Sequence, residues 1–295
     1  MFQIISDGSC DLSPEQQNAA GIILVPFYVS LDGRLYRKEA EELSVTDFYT
    51  YCMRHPECAP RTSMPSARDY TETFRPVLEQ GKDILCYCIS RNFSGSLNSA
   101  LVAKELLRKD YPERRIEIVD STLVTGLQGA LLLEVARYAK EGHSLQETFE
   151  RGEAIKKTAA MFFTLKDLSY LARGGRIGKL TDLAVRNLNL RPLLCFKEAE
   201  IQFLGICRGR ENSFDRMTTL AKKAIEERHL TLETYTFGIG WGYQKADAEP
   251  FIRQIKDLFQ DLFGEVPDFL PIRIGATIGV HTGPFPVGFG FIEKA

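Results

Sequence analysis

Residues 84–96 read Ile-Leu-Cys-Tyr-Cys-Ile-Ser-Arg-Asn-Phe-Ser-Gly-Ser, an apolar run that changes abruptly into a polar loop. The run 84–89 has the length of a strand and is apolar at almost every position, which is typical of a strand covered on both faces. The loop 90–94 follows it, and a helix is predicted from there through Leu107. A buried strand, a loop and a helix in this order form the repeating unit of a parallel sheet between helices.

Similar units lie on both sides of this stretch in the first half of the chain. Each predicted strand ends in a polar loop or turn, and the first helix begins with a capping box formed by Ser13 and Gln16, with Pro14 in its first position. Another helix is predicted over 125–140. Because ligands of open parallel sheets bind beyond the carboxyl ends of the strands, we expect a binding site among these loops. The strands are predicted at 2–5, 22–29, 84–89 and 116–119, and the loops at 7–11, 90–96 and 120–121.

The second half of the chain has a different pattern, with more strands. A hairpin is predicted around a turn at 198–200, and a short helix at 168–171 ends at Gly174-Gly175. The sequence therefore predicts an α/β fold with two domains: residues 1–155 with a mostly parallel sheet flanked by helices, and residues 156–295 as a smaller α+β domain. Strands of the second domain are predicted at 161–163, 193–196, 201–206, 234–239 and 274–280, with a helix at 246–262.

Composition places the chain among ordinary globular proteins. Of its 295 residues, 44% are hydrophobic and 26% are charged, so a sizeable core can form. The net charge of −2 disfavours a general nucleic-acid binder. No apolar run is long enough to span a membrane, and the N-terminus lacks the basic residues of a signal peptide, so the expected compartment is the cytoplasm. The seven cysteines show no Cys-x-x-Cys spacing and are expected to be reduced structural thiols.

The sequence lacks the motifs of nucleotide-binding and metal-dependent enzymes. It contains no G-x-x-x-x-G-K-[ST] phosphate loop, no G-x-S-x-G nucleophile elbow and no H-E-x-x-H metal motif. The stretch Gly-Ile-Gly-Trp-Gly at 238–242 lacks the spacing of a dinucleotide fingerprint, and the four histidines do not have metal-ligand spacing. No metal and no cofactor are therefore expected.

Clusters of hydroxyl groups are the first candidates for a binding site. Thr62 and Ser63 lie in a predicted polar loop, whereas Ser66 in the same loop is explained as the N-cap of the next helix. Ser94-Gly95-Ser96 follows a buried strand, and its backbone N–H groups and hydroxyls suit an anion at a helix N-terminus. An ordinary capped turn between strand and helix would use the same residue types.

Basic residues in the second half are a further set of candidates. Arg173 and Arg176 flank two glycines, and from residue 166 to 191 six basic residues stand against two acidic ones. A solvated basic surface is the ordinary explanation for such a run. His281 is predicted to follow an apolar strand and to precede a Gly/Pro loop, a position in which a structural histidine is the more common case.

Taken in order along the chain, these segments resemble the DegV family. The resemblance covers nearly the whole chain, and although each of its eight elements is weak alone, their order is specific. They are Ser6-Asp7-Gly8-Ser9-Cys10-Asp11-Leu12, Thr62-Ser63-Met64-Pro65, Ser94-Gly95-Ser96 with Ser99, Asp120-Ser121, Leu171-Ala172-Arg173-Gly174-Gly175-Arg176-Ile177, Asn189-Leu190-Arg191-Pro192-Leu193-Leu194, Arg208-Gly209-Arg210 and His281-Thr282-Gly283-Pro284.

The resemblance implies a two-domain lipid carrier that is not an enzyme by itself. Such a protein binds a long-chain fatty acid, with the tail buried in the N-terminal domain and the carboxylate at the domain interface. In the FakB-type role it presents the carboxylate to a separate ATP-binding fatty acid kinase, whose acyl-phosphate product feeds phospholipid synthesis in bacteria. A monomer that associates with the kinase, without stable membrane insertion, is the expected state.

The matching motifs also imply roles for individual residues. The ligand-binding residues carried over in this way are Thr62, Ser63, Ser94, Gly95, Ser96 and His281. The residues implied in phosphoryl transfer or kinase docking are Arg173, Arg208 and His281. Two departures affect the transfer step more than the binding step: Gly8 stands where many members have Ser or Thr, and Phe285-Pro286 follows where a small glycine is usual.

Other interpretations remain open at this point. Ser94 and His281 could form a hydrolase triad with Asp7 or Asp120, because triads are recognised by geometry and not by sequence order. A binding module for another acyl lipid or a retinoid-like molecule, without a kinase, is a second alternative. A DNA-associated regulator is disfavoured by the near-neutral charge and by the lack of a helix-turn-helix signal.

Overall fold

The computed structural model describes residues 1–177 and 190–295, so that Asn189 of the resemblance lies outside the described residues. The described strands are β1 (Phe2–Asp7), β2 (Ile23–Val25), β3 (Tyr28–Ser30), β4 (Tyr36–Lys38), β5 (Arg61–Ser63), β6 (Asp83–Cys88), β7 (Ile116–Asp120), β8 (Ala160–Thr164), β9 (Leu190–Lys197), β10 (Glu200–Arg208), β11 (Tyr235–Trp241), β12 (Leu270–Arg273) and β13 (Val287–Glu293). The described helices are α1 (Pro14–Ala20), α2 (Val45–Arg54), α3 (Ala67–Glu79), α4 (Ser96–Leu107), α5 (Thr125–Lys140), α6 (Leu145–Ile155), α7 (Ser169–Arg173), α8 (Arg210–Glu227), α9 (Glu249–Phe263) and α10 (Ala276–Thr282).

The first half of the chain builds the predicted parallel sheet, in the strand order β2-β1-β6-β7. β6 lies inside the sheet, where Cys86 is opposite Ile5 of β1 on one side and Ile118 of β7 on the other. The side chains from residue 84 to 88 are fully buried, because helices cover both faces of the sheet. The prediction of a parallel sheet flanked by helices is confirmed.

The strand predicted over 22–29 is in fact two strands in different sheets. β2 ends at Val25 and β3 begins at Tyr28, with Pro26 between them. Because proline has no backbone N–H, it interrupts the hydrogen-bond ladder of a strand. β3 forms a small antiparallel sheet in the order β4-β3-β5. Thr62 therefore lies on β5, opposite Val29, and not in the loop that the sequence predicted.

The second half of the chain builds a six-stranded sheet in the order β10-β9-β8-β13-β11-β12, antiparallel except for the pair β11 and β12. The predicted hairpin is confirmed as β9 and β10. Glu198 and Ala199 in its turn have φ angles of 55° and 59°, the positive values that two-residue hairpin turns of this type need. α8 and α9 cover one face of the sheet over a core rich in phenylalanine.

The prediction of a closing strand over 274–280 is wrong. The last strand is β13, and most of the segment 274–280 belongs to helix α10. Its β-branched and glycine residues are typical of a strand, but tertiary contacts decide otherwise. The carboxylate of Glu39, far away in sequence, accepts hydrogen bonds from the backbone N–H groups of Ala276 and Thr277 and thereby caps the helix. Gly279 lets the helix approach closely, since a Cβ atom there would lie 2.7 Å from Cε1 of Phe48.

α5 lies between the two sheets, and its predicted limits of 125 and 140 are confirmed. It contacts β1 of the parallel sheet and also β11 and β13 of the six-stranded sheet. Leu131 and Val135 of α5 are fully buried in a core cluster to which both sheets contribute. None of the helices in the described ranges is both long and apolar enough to cross a membrane.

Candidate functional site

His281 lies in the last turn of α10, between β5 from the first half of the chain and Gly174 from the second. Its Nε2 atom is 3.1 Å from Oγ1 of Thr62, a hydrogen bond whose direction depends on which ring nitrogen carries the proton. The ring packs on the Cα atom of Gly174 so closely that a Cβ atom there would collide with Nδ1. Nδ1 is buried and has no hydrogen-bond partner within residues 1–177 and 190–295. A buried polar atom without a partner is rare, and this one marks the ring as a candidate ligand contact.

The electrostatic environment keeps this ring neutral near pH 7. Burial, with a smaller contribution from the positive charge of Arg176, lowers the pKa of His281 from 6.5 to about 4. A neutral imidazole has one donor and one acceptor nitrogen, so it can serve a ligand without carrying a charge of its own.

Two further segments meet the histidine at this point. Met64, two residues after Thr62, lies against Gly95, because its Sδ atom would be 2.7 Å from a Cβ atom at that glycine. Arg176 donates a hydrogen bond from Nε to the carbonyl oxygen of Phe93 at 3.2 Å. The hydroxyl segment of β5, the turn before α4 and the glycine-rich turn after α7 are therefore brought together.

Two serine hydroxyls lie at this junction. Ser63 is exposed, and its Oγ is 3.5 Å from the carbonyl oxygen of Met64. Ser94 is partly exposed, and its Oγ accepts a hydrogen bond from the backbone N–H of Ser96 at 3.2 Å. Because the Ser94 oxygen is the acceptor in that bond, its O–H can still donate to a ligand.

Ser96, which is predicted as a ligand contact, uses its hydroxyl for hydrogen bonds inside the protein. Its hydroxyl is fully buried, donates to Oδ2 of Asp7 at 2.8 Å and lies 2.7 Å from the hydroxyl of Tyr70. Asp7 also accepts hydrogen bonds from Ser9 at 2.6 Å and from the backbone N–H of Ile89 at 2.9 Å. Burial raises the pKa of Asp7, and the hydrogen bonds from its donors oppose this. The Ser96 hydroxyl thus ties the turn before α4 to the end of β1, and a ligand contact of Ser96 stays a prediction.

The predicted arginines are distributed unevenly around the site. Arg173 donates from Nη1 to the carbonyl oxygen of Cys58 at 3.2 Å, and its guanidinium lies 4.4 Å from the centre of the Tyr170 ring. Arg208 is exposed at the end of β10. Arg176, for which no definite role was predicted, is the arginine whose positive charge acts on His281.

A hydrolase triad of Ser94 and His281 is not assembled in the described part of the chain. Asp7 accepts hydrogen bonds from Ser9 and from the backbone N–H of Ile89. Asp120 accepts a hydrogen bond from the Arg91 guanidinium at 2.7 Å. Neither carboxylate hydrogen-bonds His281 within the described ranges, so the general base of a triad has no orienting partner there.

An apolar slot opens beside α10 and runs between α5 and the six-stranded sheet. Ile278 and Thr282 line it, and they belong to the same helix as His281. The space free of protein atoms amounts to about 740 Å³ when its open mouth is counted.

The polar residues that line the slot are three threonines, and each turns its hydroxyl towards a protein acceptor. The pairs are Thr125 with the Asp11 carboxylate, Thr236 with the Glu134 carboxylate at 2.6 Å, and Thr282 with the carbonyl oxygen of Ile278 at 3.2 Å. What remains towards the slot is hydrocarbon and bare backbone. Such a surface favours an apolar ligand.

Glycines form the floor of the slot. Gly238 and Gly240 of β11 lie directly opposite Gly290 and Gly288 of β13, and all four line the slot. Since successive side chains of a strand point to opposite faces, the large residues between these glycines pack into the core on the other face. Sequence reasoning missed this floor. The signal was present as Gly-x-Gly in two strands, but the stretch 238–242 was considered only as a failed nucleotide motif.

The family model described as "Uncharacterised protein, DegV family" matches residues 1–294. The chain belongs to the DegV family. A DegV domain-containing protein of Caldanaerobacter subterraneus is 26% identical over 294 residues, which cover 99% of this chain and 98% of that protein. A crystal structure described as a stearic acid-binding protein from Eubacterium ventriosum matches with 33% identity and a TM-score of 0.93, covering 100% of this chain and 99% of that one. A DegV family protein from Thermus thermophilus, described as binding fatty acid, has 26% identity and a TM-score of 0.82, with 99% of each chain covered.

In this DegV-family chain, the slot is lined from both halves of the molecule. Residues 124–127 and Ala130, in and just before α5, form one wall, and the six-stranded sheet and α10 provide the rest. The first half of the chain therefore forms one wall of a cavity that it shares with the second half. The prediction that residues 1–155 hold the acyl tail stays a prediction.

Proposed function

We propose that this chain binds a long-chain fatty acid, with the tail in the slot and the carboxylate beside Thr62 and His281. The observation that carries the proposal is the placement of α10. Ile278 and Thr282 of this helix line the slot, while His281 on the same helix reaches Thr62. The relatives from Eubacterium ventriosum and Thermus thermophilus, which are described as binding fatty acids, support the same ligand class.

Burial of the tail supplies most of the binding free energy. Each methylene removed from water contributes roughly 0.8 kcal/mol. A long acyl chain therefore gains on the order of 10 kcal/mol before the entropy of association is subtracted. The three threonine hydroxyls of the slot are already satisfied, so the tail meets no polar group that would lose its partner.

The carboxylate has to find donors, because an ionised group is costly to remove from water without them. The hydroxyls of Thr62, Ser63 and Ser94 offer short charge-assisted hydrogen bonds. A carboxylate beside His281 would raise the pKa of the imidazole, since an opposite charge favours the imidazolium. The ring would then donate from both nitrogens, with the positive charge of Arg176 nearby.

The second part of the proposal is the transfer step. We propose that a separate kinase phosphorylates the bound carboxylate, because the sequence contains no phosphate-binding loop of its own. The acyl-phosphate carries more negative charge than the acid, and arginine side chains stabilise such charge electrostatically. Arg208, exposed at the end of β10, suits docking of the kinase better than contact with the ligand, whereas Arg173 belongs to α7, which packs against the helix of His281. Because this step needs ATP, we propose that the chain acts in the cytoplasm.

The headgroup assignment is tested by Thr62→Val and Ser94→Ala in delipidated protein titrated with a fatty acid. Thr62→Val replaces the hydroxyl by a methyl group of similar size and Ser94→Ala deletes only the hydroxyl, and we expect each to lower the affinity severalfold. Thr219→Val, an exposed threonine of α8 away from the site, is the matched control. Unchanged affinity in both site variants would remove these hydroxyls from the site.

The transfer step is tested by incubating lipid-loaded protein with a fatty acid kinase and ATP. His281→Ala is expected to keep its lipid, because the tail supplies most of the free energy, and to give less acyl-phosphate. A normal yield from this variant would take His281 out of the transfer step. No acyl-phosphate from the unmodified chain with any such kinase would favour the alternative, an acyl-lipid carrier without a kinase, which the apolar slot also suits.

A further inference from the structure

Glu39 joins the two segments that meet where Thr62 contacts His281. Its backbone N–H donates to the carbonyl oxygen of Phe27 at 2.9 Å. Phe27 directly precedes β3, the strand that pairs with Thr62 on β5. The Glu39 side chain extends to α10, the helix of His281, and is buried there. One residue therefore connects the strand pair that carries Thr62 to the helix that carries His281.

The Glu39 carboxylate binds three donors in the first turn of α10. One oxygen accepts from the backbone N–H of Ala276, and the other accepts from the backbone N–H of Thr277 at 3.2 Å and from the Thr277 hydroxyl. Gly275 permits this approach, because a Cβ atom there would lie 2.6 Å from Oε1 of Glu39. Since the two oxygens bind successive residues, the contact fixes both the position of the helix end and the rotation of the helix about its axis.

α10 depends on such contacts for its orientation. It has seven residues, about two turns, and a helix of this length is not stable by itself. Four of the seven residues are β-branched and one is glycine, which are poor helix formers. His281 lies near the opposite end of the helix from Glu39. A rotation or tilt of the loosened first turn would therefore move the imidazole away from Thr62.

We propose that Glu39 is a positioning residue for the fatty-acid carboxylate, which acts by holding His281 against Thr62. The inference rests on the proposed function, because the pair that Glu39 holds is the proposed carboxylate site. Glu39 lies outside the eight segments of the family resemblance, and it contributes through geometry without touching the ligand.

The first measurement is the pKa of the His281 imidazole, followed by NMR titration of lipid-free protein. Packed on Gly174 and beside Thr62, the buried ring has a pKa of about 4. Glu39→Gln keeps only one acceptor oxygen, so one donor of the first turn loses its partner. We expect the helix to shift, the ring to become more exposed and its pKa to rise towards 6.5. Removal of a negative charge alone would lower the pKa of a histidine, so a rise indicates displacement of the ring.

The second measurement compares the affinities for palmitate and for hexadecanol, which has the same chain length but no carboxylate. We expect Glu39→Gln to lower the affinity for palmitate severalfold and to change that for hexadecanol much less. The reason is that only the carboxylate depends on charge-assisted hydrogen bonds at the displaced ring. A role of Glu39 in general stability would lower both affinities alike.

Three further variants complete the experiment. Thr277→Val removes a single donor to the same carboxylate; it is the milder change if Glu39→Gln folds poorly, and we expect a smaller pKa rise from it. Glu41→Gln is the matched control, because Glu41 is an exposed glutamate two residues away. Ile225→Ala, in the buried core beneath α8, lowers stability while leaving Glu39 in place, and we expect it to leave the pKa of His281 unchanged.

The outcomes separate this inference from the proposed function. If the unmodified chain does not bind palmitate, the proposed function fails and the inference fails with it. If it binds palmitate but Glu39→Gln and Thr277→Val leave the His281 pKa or the ratio of the two affinities unchanged, only the inference is overturned. A pKa rise of the same size in Ile225→Ala would also overturn it, because the displacement of the ring would then follow from loss of stability.

Discussion

The neutral, buried His281 makes the stability of the protein depend on pH in a way that one substitution removes. Burial and Arg176 hold the pKa of His281 at about 4 in the folded chain, against 6.5 without these effects. Because the folded-state pKa is the lower one, the unfolded chain takes up the proton first as the pH falls. The contribution of His281 to stability is therefore complete above about pH 6.5, is lost between about 6.5 and 4, and changes no further below that.

The size of this loss follows from the same two values. A separation from 6.5 to about 4, at roughly 1.36 kcal/mol for each pH unit, corresponds to about 3 kcal/mol of unfolding free energy. His281→Gln keeps a polar group towards Thr62 but cannot titrate, and we expect it to lack this pH-dependent part. The unfolding free energy of both proteins would be measured by urea denaturation at intervals from pH 7.5 to pH 4, and the difference between the two curves taken.

We compare the difference between the two curves because other buried groups change the unfolding free energy with pH in the opposite direction. Burial raises the pKa of Glu39, and burial together with the Glu39 charge raises that of Asp11 well above its usual range. Their contribution is present at low pH and is lost as the pH rises through their folded-state pKa, and it cancels between the two proteins. His55→Gln, at an exposed position, is the control for removing a histidine as such. A flat difference between pH 6.5 and 4, or one of the same size in the control, would refute the account of His281 as a buried neutral ring.

Two other substitutions test how the site is held. Asp7→Asn places an amide NH₂ among the N–H and O–H donors that point at the Asp7 carboxylate. We expect it to lower the free energy of unfolding in urea by roughly 2–3 kcal/mol. An unchanged urea midpoint would mean that this network does not stabilise the fold. Gly174→Ala is compatible with the backbone there, at φ −77°, but its Cβ atom collides with His281, so fatty-acid affinity is expected to fall severalfold. Gly81→Ala, in an open turn with positive φ, should lower stability and leave affinity unchanged, and equal affinity losses in both variants would contradict the packing argument.

The sequence predicted the parts of the fold that local patterns determine. The buried strand β6, the limits of α5 and the hairpin of β9 and β10 follow from apolar runs, helix period and turn residues within a few positions. The capping box of Ser13 and the N-cap role of Ser66 are also confirmed. These features depend on neighbours in the sequence, which is why residues alone were sufficient for them.

The errors concern features that depend on distant residues. The residues of α10 have the pattern of a strand. The segment is a helix because the Glu39 carboxylate caps it and Gly279 packs against the Phe48 ring. The sequence also could not show that the Ser96 hydroxyl is buried against Asp7. In both cases a contact made only in the folded chain decides the role of the residue.

The sequence indicated residues of the candidate site but not the shape of its cavity. Thr62 and His281 were both assigned to the ligand through their motifs, and the structure joins them at 3.1 Å. The slot could not be read in the same way, because its floor comes from glycines in two strands that are adjacent in space but about fifty residues apart. Glycines in a strand are a weak signal in the sequence. Only the pairing of β11 and β13 shows that these glycines lie on one cavity.

The most direct test of the central claim is native mass spectrometry of the protein purified from a bacterial host, followed by extraction and identification of the bound lipid. The account predicts one adduct per chain with the mass of a long-chain fatty acid, lost on delipidation and regained when fatty acid is added back. A protein that is empty as purified and that also fails to bind added fatty acids would contradict it.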